Sequence, residues 1–178
     1  MSKYIMKIEL LSDACISDGG VYNSSVDIDI CSTQEGFPYI PAKRIKGCLR
    51  ECALELRDWN VDIPIEEIFG EQGNSRGALR IGNAYIEGYE EKKKELEEVM
   101  GTAVQSFTHP MMVLDHFSYL RTQTSINYET GSADENSLRT MRVANKGLIF
   151  QAEIEFPDKY KEAIENCCAI LKHIGVSR

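Results

Sequence analysis

The stretch that most constrains this chain runs from Phe37 to Arg50, FPYIPAKRIKGCLR. A short apolar run ends at Pro41. From there the apolar residues fall at Ile45, Cys48, Leu49, Cys52, Ala53 and Leu56. That is the i, i+3, i+4, i+7 spacing of a helix with one side on a core, predicted from about Pro41 to Arg57. Lys43, Lys46, Gly47 and Arg50 recur at the same spacing, rotated about half a turn from the apolar stripe. A mid-helix glycine costs roughly 1 kcal/mol relative to alanine, and such a cost usually has a packing or contact reason. Without a side chain at Gly47, another molecule can approach the backbone closely. Cations around a bare patch of helix, just after a proline, suit a phosphate backbone. The plainer alternative is a solvated charged face.

Charge bears on that choice. The net charge is −8, which counts against a generic nucleic-acid binder. The charges are segregated, however. Acid concentrates from Asp62 to Glu71 and from Glu87 to Glu98, base from Lys43 to Arg50 and from Arg139 to Lys146. A local cationic groove on an acidic body can still track a phosphate backbone, in a salt-sensitive way. The 178 residues suffice for one core-bearing domain with an insertion. No apolar run approaches the length of a membrane span, and the N-terminus reads as a strand rather than a signal peptide. The six cysteines show no zinc spacing and no disulfide framework. Reduced thiols acting as small core hydrophobes in a cytoplasmic protein are expected.

Along the chain, Tyr4 to Leu10 alternates as a half-buried strand. Ser12 to Ser25 reads as loop. Val26 to Cys31 alternates again and predicts a short strand, with Val26, Ile28 and Ile30 on one face. Asp27 and Asp29 then project together from the other face, usually as solvated carboxylates and otherwise as ligands for a divalent cation. After the helix come a loop with short turns (Trp59 to Phe69), a polar loop carrying Arg76, and a strand from Leu79 to Ile86. Residues 87–146 form a long insertion. It is helical from Tyr89 to Phe107, broken at Pro110, helical again from Met111 to Leu120, extended from Arg121 to Tyr128 and turn-like from Glu129 to Ser137. Leu148 to Phe156 is the clearest strand, and a last helix ends at Gly175. This order predicts an α+β sandwich of ferredoxin-like, split βαβ plan, with the fourth core strand missing. His109 and His116 could serve as a nuclease acid and base but read better as structural, as does His173 in a last helical turn.

The same residues resemble a known family. FPYIPAKRIKGCLRE is similar to the signature of the RAMP superfamily of CRISPR-associated proteins. VDIDICSTQEGFPYIP, FGEQGNSRGALRIGNAYI, the segment from Leu120 to Phe156 and LKHIGVSR resemble further pieces of that family in the same order. The details look closest to a type III, and within it a type III-D, subunit.

The resemblance implies an RRM-related, ferredoxin-like core that binds CRISPR RNA and target RNA alongside other effector subunits. It implies that Lys43, Arg44, Lys46, Gly47 and Arg50 hold the guide backbone, and that Arg121, Arg139 and Arg142 belong to a thumb pressing between guide nucleotides. It also offers Asp27 as a catalytic residue cutting target RNA with a divalent metal such as Mg, with Asp29 beside it as a second ligand. The family's glycine-rich loop and last strand are expected after Arg178. The chain is therefore expected to be one RAMP domain, with residues 87–146 as the thumb, forming the N-terminal part of a longer protein. Its sheet edge would be open to pairing with a second copy. Two other functions stay in view: a metal-dependent endoribonuclease acting through Asp27, and a ferredoxin-like protein-interaction domain that binds no RNA.

Overall fold

A computed structural model describes residues 1–17, 26–71, 75–100, 109–126, 128–129, 131–134 and 137–176. The loops expected around 18–25 and 72–74, the end of the first insertion helix with Val104 and Phe107, and part of the turn expected from Glu129 to Ser137 lie outside the described residues. The chain divides into two compact units. One comprises Met1–Ile8, Ile40–Tyr85 and Phe150–Arg178; the other comprises Glu9–Tyr39 and Ile86–Ile149.

The first unit holds the main sheet. Strand β1 (Ser2–Glu9) lies beside β9 (Ile149–Phe156), which neighbours β6 (Ala84–Ile86), which neighbours β2 (Tyr39–Ile40). The pair β5 (Arg80–Ile81) and β9 is antiparallel, with Arg80 opposite Glu155 and Ile81 opposite Ile154. In chain order the core strands are β1, β6 and β9, arranged 1-3-2, and helices follow the first and the third. That is the ferredoxin-like plan. Phe150, Ala152, Ile154 and Phe156 of β9 are buried, as are Met6 and Ile8 of β1, while Ile5, Lys7 and Glu153 are exposed. Tyr4 stacks on Phe156 with ring centroids 4.9 Å apart, and its hydroxyl donates to Asp158 at 2.9 Å.

Helix α1 (Ala42–Asp58) packs on α5 (Lys161–Ile174). Its buried residues are Ile45, Cys48, Leu49, Cys52, Ala53 and Leu56, the predicted stripe. Each large aliphatic side chain buried there contributes about 1.5–3 kcal/mol. Burial pushes the thiols of Cys52 and Cys167 up to about 12, so both stay neutral and unreactive at physiological pH. The loop expected after α1 carries a short helix, α2 (Ile65–Phe69), followed by a small hairpin of β3 (Gly70–Glu71) and β4 (Ser75–Arg76). The strand expected from Leu79 to Ile86 is interrupted at Gly82 and Asn83 between β5 and β6.

The second unit is built on a two-stranded ribbon, β7 (Ser118–Gln123) against β8 (Arg139–Ala144), antiparallel with Arg121 opposite Met141 and Gln123 opposite Arg139. Two helices precede it, α3 (Tyr89–Met100) and α4 (Pro110–Phe117). His109 caps α4, its Nδ1 accepting the Met111 N–H at 3.2 Å, so that histidine is structural. Phe37 is buried between Tyr89 and Phe117, with ring centroids 5.6 and 5.8 Å away. Gly36 adopts φ 94°, and a Cβ there would lie 1.9 Å from the carbonyl oxygen of Pro110. Only glycine fits that turn.

One expected element is absent. Val26 to Cys31 forms no strand, making only an isolated parallel bridge between Ile28 and Met141. Its backbone runs along β8, with Asp27 N–H donating to Thr140 at 2.9 Å and Arg142 N–H donating to Ile28 at 2.9 Å. The intervening Thr140 N–H donates to the Asp27 carboxylate instead, at 2.6 Å. A side chain thus replaces a backbone rung, which is how aspartate competes with sheet ladders. No helix among the described residues is long and apolar enough to cross a membrane.

Candidate nucleic-acid interface

The predicted residues fall into two groups that lie in different units. On α1, Lys43, Gly47 and Arg50 are exposed and Lys46 is half-buried, all on the side opposite the core stripe. Among the described residues, Lys43, Lys46 and Arg50 make no ion pair. Arg44 is half-buried and already engaged within the protein. A Cβ at Gly47 would meet nothing within 4 Å. Internal packing therefore gives no reason for the glycine, and the space above it is open. Pro41 occupies the N-cap and supplies no side-chain acceptor. That role falls to Asn83, between β5 and β6, whose Oδ1 accepts the Ala42 N–H at 2.9 Å. Sequence reading missed Asn83, because a cap contributed from 41 residues away leaves no local spacing signal.

In the second unit, the register of β7 and β8 sorts the three predicted arginines. Residues directly opposite each other share a face, and so do residues two apart. Arg121 and Arg139 therefore stand on one face of the ribbon, and both are exposed. Arg142 is on the other face and is only 4% exposed. Its Nη1 donates to Asp115 at 2.5 Å and to Ser118 Oγ at 3.1 Å. Its Nε lies 3.2 Å from the Asp29 carboxylate, outside hydrogen-bonding direction. Asp29, 6% exposed, also accepts the N–H of Ile30 at 2.9 Å.

The two aspartates thus do not project together. Asp27 is exposed, with one oxygen held by Thr140, while Asp29 is buried against Arg142. No group of three or more His, Cys, Asp or Glu side chains among the described residues is placed to hold a metal ion. Leu120 on the ribbon is 49% exposed, and Ile126 and Leu138 beyond its strand ends are 59% and 70% exposed. Beside it, Asp13 accepts the Lys146 backbone N–H at 2.9 Å and the Tyr119 hydroxyl at 2.8 Å. These bonds, the backbone one first, hold its carboxyl below the usual range.

Comparison with known proteins gives these arrangements a family. No curated protein matches the chain. A chain in the cryo-EM structure of the type III-B Cmr-beta complex bound to cognate target RNA is similar, with a TM-score of 0.67 at 11% identity, covering 94% of this chain and 88% of that one. A chain from the apo state of Cmr-beta gives 0.61 at 12% identity, with the same coverage of each. At such identities the likeness is one of fold. The family model of the RAMP superfamily matches residues 7–176, and the chain therefore belongs to the RAMP superfamily of CRISPR-associated proteins.

Proposed function

We propose that this chain is a subunit of a type III CRISPR effector complex and that it holds guide RNA through the outer face of α1. The observation that carries the reading is the open space at Gly47, ringed by Lys43, Lys46 and Arg50, which have no ionic partner among the described residues. A phosphate backbone can approach the bare helix there while the three side chains neutralise it. Arg44 borders that face. Arg121 and Arg139, with the exposed apolar residues of the ribbon, supply a separate contact with nucleotides, in the manner the family resemblance implies. Arg142 is given a structural role in the ribbon instead. The 178 residues act as one RAMP domain with 87–146 as its insertion. The likeness of fold to a chain of a complex bound to target RNA supports the reading, and a subtype of type III-D remains part of the proposal.

Changing Lys43, Lys46 and Arg50 to Glu tests it. Single-stranded RNA affinity should fall, and the log–log salt slope should shrink by about 0.7 for each lost contact. An unchanged affinity and slope in moderate salt would sink the proposal.

A second reading has its own observation. Asp27 is exposed, and Thr140 orients one of its oxygens. A carboxylate oriented this way suits a divalent metal such as Mg²⁺ whose remaining ligands are water and phosphate oxygens. Asp27→Ala in an assembled complex should abolish target cleavage and leave RNA binding intact. Undiminished cleavage would remove the endoribonuclease role.

A further inference from the structure

The cap on α1 places an additional polar group at the start of the helix that carries the cations. Asn83 is exposed and sits where β5 breaks off before β6. Its amide cannot be turned either way round. The Ala42 N–H needs an acceptor, so Oδ1 must face it, at 2.9 Å. Nδ2 is then fixed on the opposite side. One of its hydrogens points to the Tyr85 hydroxyl at 3.4 Å, a long bond. The other has no partner among the described residues. Ala42 immediately precedes Lys43, so Asn83 stands at the first turn of the helix that carries the cations.

A neutral donor next to phosphate-binding cations suits the neutral part of a nucleic-acid backbone, the sugar. The ribose 2′-hydroxyl is both donor and acceptor, and it is the group that distinguishes RNA from DNA. We propose that Asn83 reads the ribose: its Nδ2–H donates to a 2′-hydroxyl of the strand lying along α1. This rests on the reading of α1 as the RNA-holding face and adds a basis for choosing RNA over DNA there. Capping α1 and reading the sugar are two uses of one amide, with the oxygen committed to the protein and the nitrogen to the ligand.

The test compares a fluorescently labelled single-stranded oligoribonucleotide with a deoxy oligomer of the same base sequence, both titrated with the full chain at low salt. The wild type should bind the RNA more tightly. Asn83→Ala should reduce the RNA-to-DNA affinity ratio about three- to tenfold, the span of one hydrogen bond, but it also removes the cap. Asn83→Asp separates the two roles. It keeps an acceptor for the Ala42 N–H and so should hold the wild-type melting temperature, while losing both amide donors. Its negative charge weakens both polymers alike, and its second oxygen can still accept from the 2′-hydroxyl, so its ratio should fall less than that of Asn83→Ala. An unchanged ratio in both Asn83→Ala and Asn83→Asp overturns the proposal, whether both affinities drop together or neither does. Wild-type protein that binds neither polymer, and matches the Lys43/Lys46/Arg50 charge-reversed variant, overturns the reading of the helix face itself, and this proposal with it.

Discussion

Lys43, Lys46 and Arg50 on α1 and Arg142 on β8 are cations in opposite circumstances. The first group stands on an open helix face with no ionic partner among the described residues. Arg142 is almost wholly enclosed, with Asp29 and Asp115 on it and Ser118 and Met111 beside it. In water, a long cationic side chain costs little to keep and is available to a ligand. Inside, the same charge must be matched, because an unpaired buried charge is far more costly than an exposed one. What separates the two is not residue type or local charge density but the surface on which the backbone places each residue. Cations that are free to bind are those that the fold can lose cheaply.

This difference can be broken by substitution. The largest effect should come from Arg142→Ala, which strands Asp29 in the interior and should cost about 3–5 kcal/mol of stability, read as a fall in the denaturant midpoint. Adding Asp29→Ala should cost much less than the sum of the two single changes, since each has lost the same partner. If Arg142→Ala unfolds like the wild type, the cluster is not structural and Arg142 returns to the candidates for RNA contact. The charge-reversed α1 variant should sit at the other extreme. Each exposed position should change stability by no more than about 0.5 kcal/mol, even as RNA binding falls. Gly47→Ala sharpens the contrast at its finest point. The new methyl has open space, so the free protein should gain about 0.5–1 kcal/mol through helix propensity, while affinity for single-stranded RNA drops. A variant that is more stable and binds RNA as well as the wild type would show that nothing approaches the helix at that residue.

Much of the first unit was legible because its signals are local and periodic. The stripe of α1 and the alternation of β9 each follow from one element packing one face, and their order is enough for the ferredoxin-like plan. The second unit was harder. Asp27 and Asp29 alternate as strand residues do, yet a carboxylate taking the Thr140 N–H and an arginine drawing Asp29 inward override that pattern. Arg139 and Arg142 look like neighbours in a basic run. Alternation along β8 puts them on opposite faces, and only Asp29 and Asp115, from outside the run, decide which of the two is enclosed. Asn83 was invisible for the same reason, because its partner is on another element.

The sheet order also sets a timetable. The strand next to β1 is β9, and Ser2–Glu9 is made long before Ile149–Phe156. At ordinary rates of synthesis, the first strand waits on the order of ten seconds for its neighbour. Through that interval the apolar row of Met6 and Ile8 has no β9 to lie beside, and closing so distant a pair is a slow kind of folding step. For this protein, the dangerous moment comes during its own manufacture, when a ribosome has delivered one half of the sheet and not yet the other.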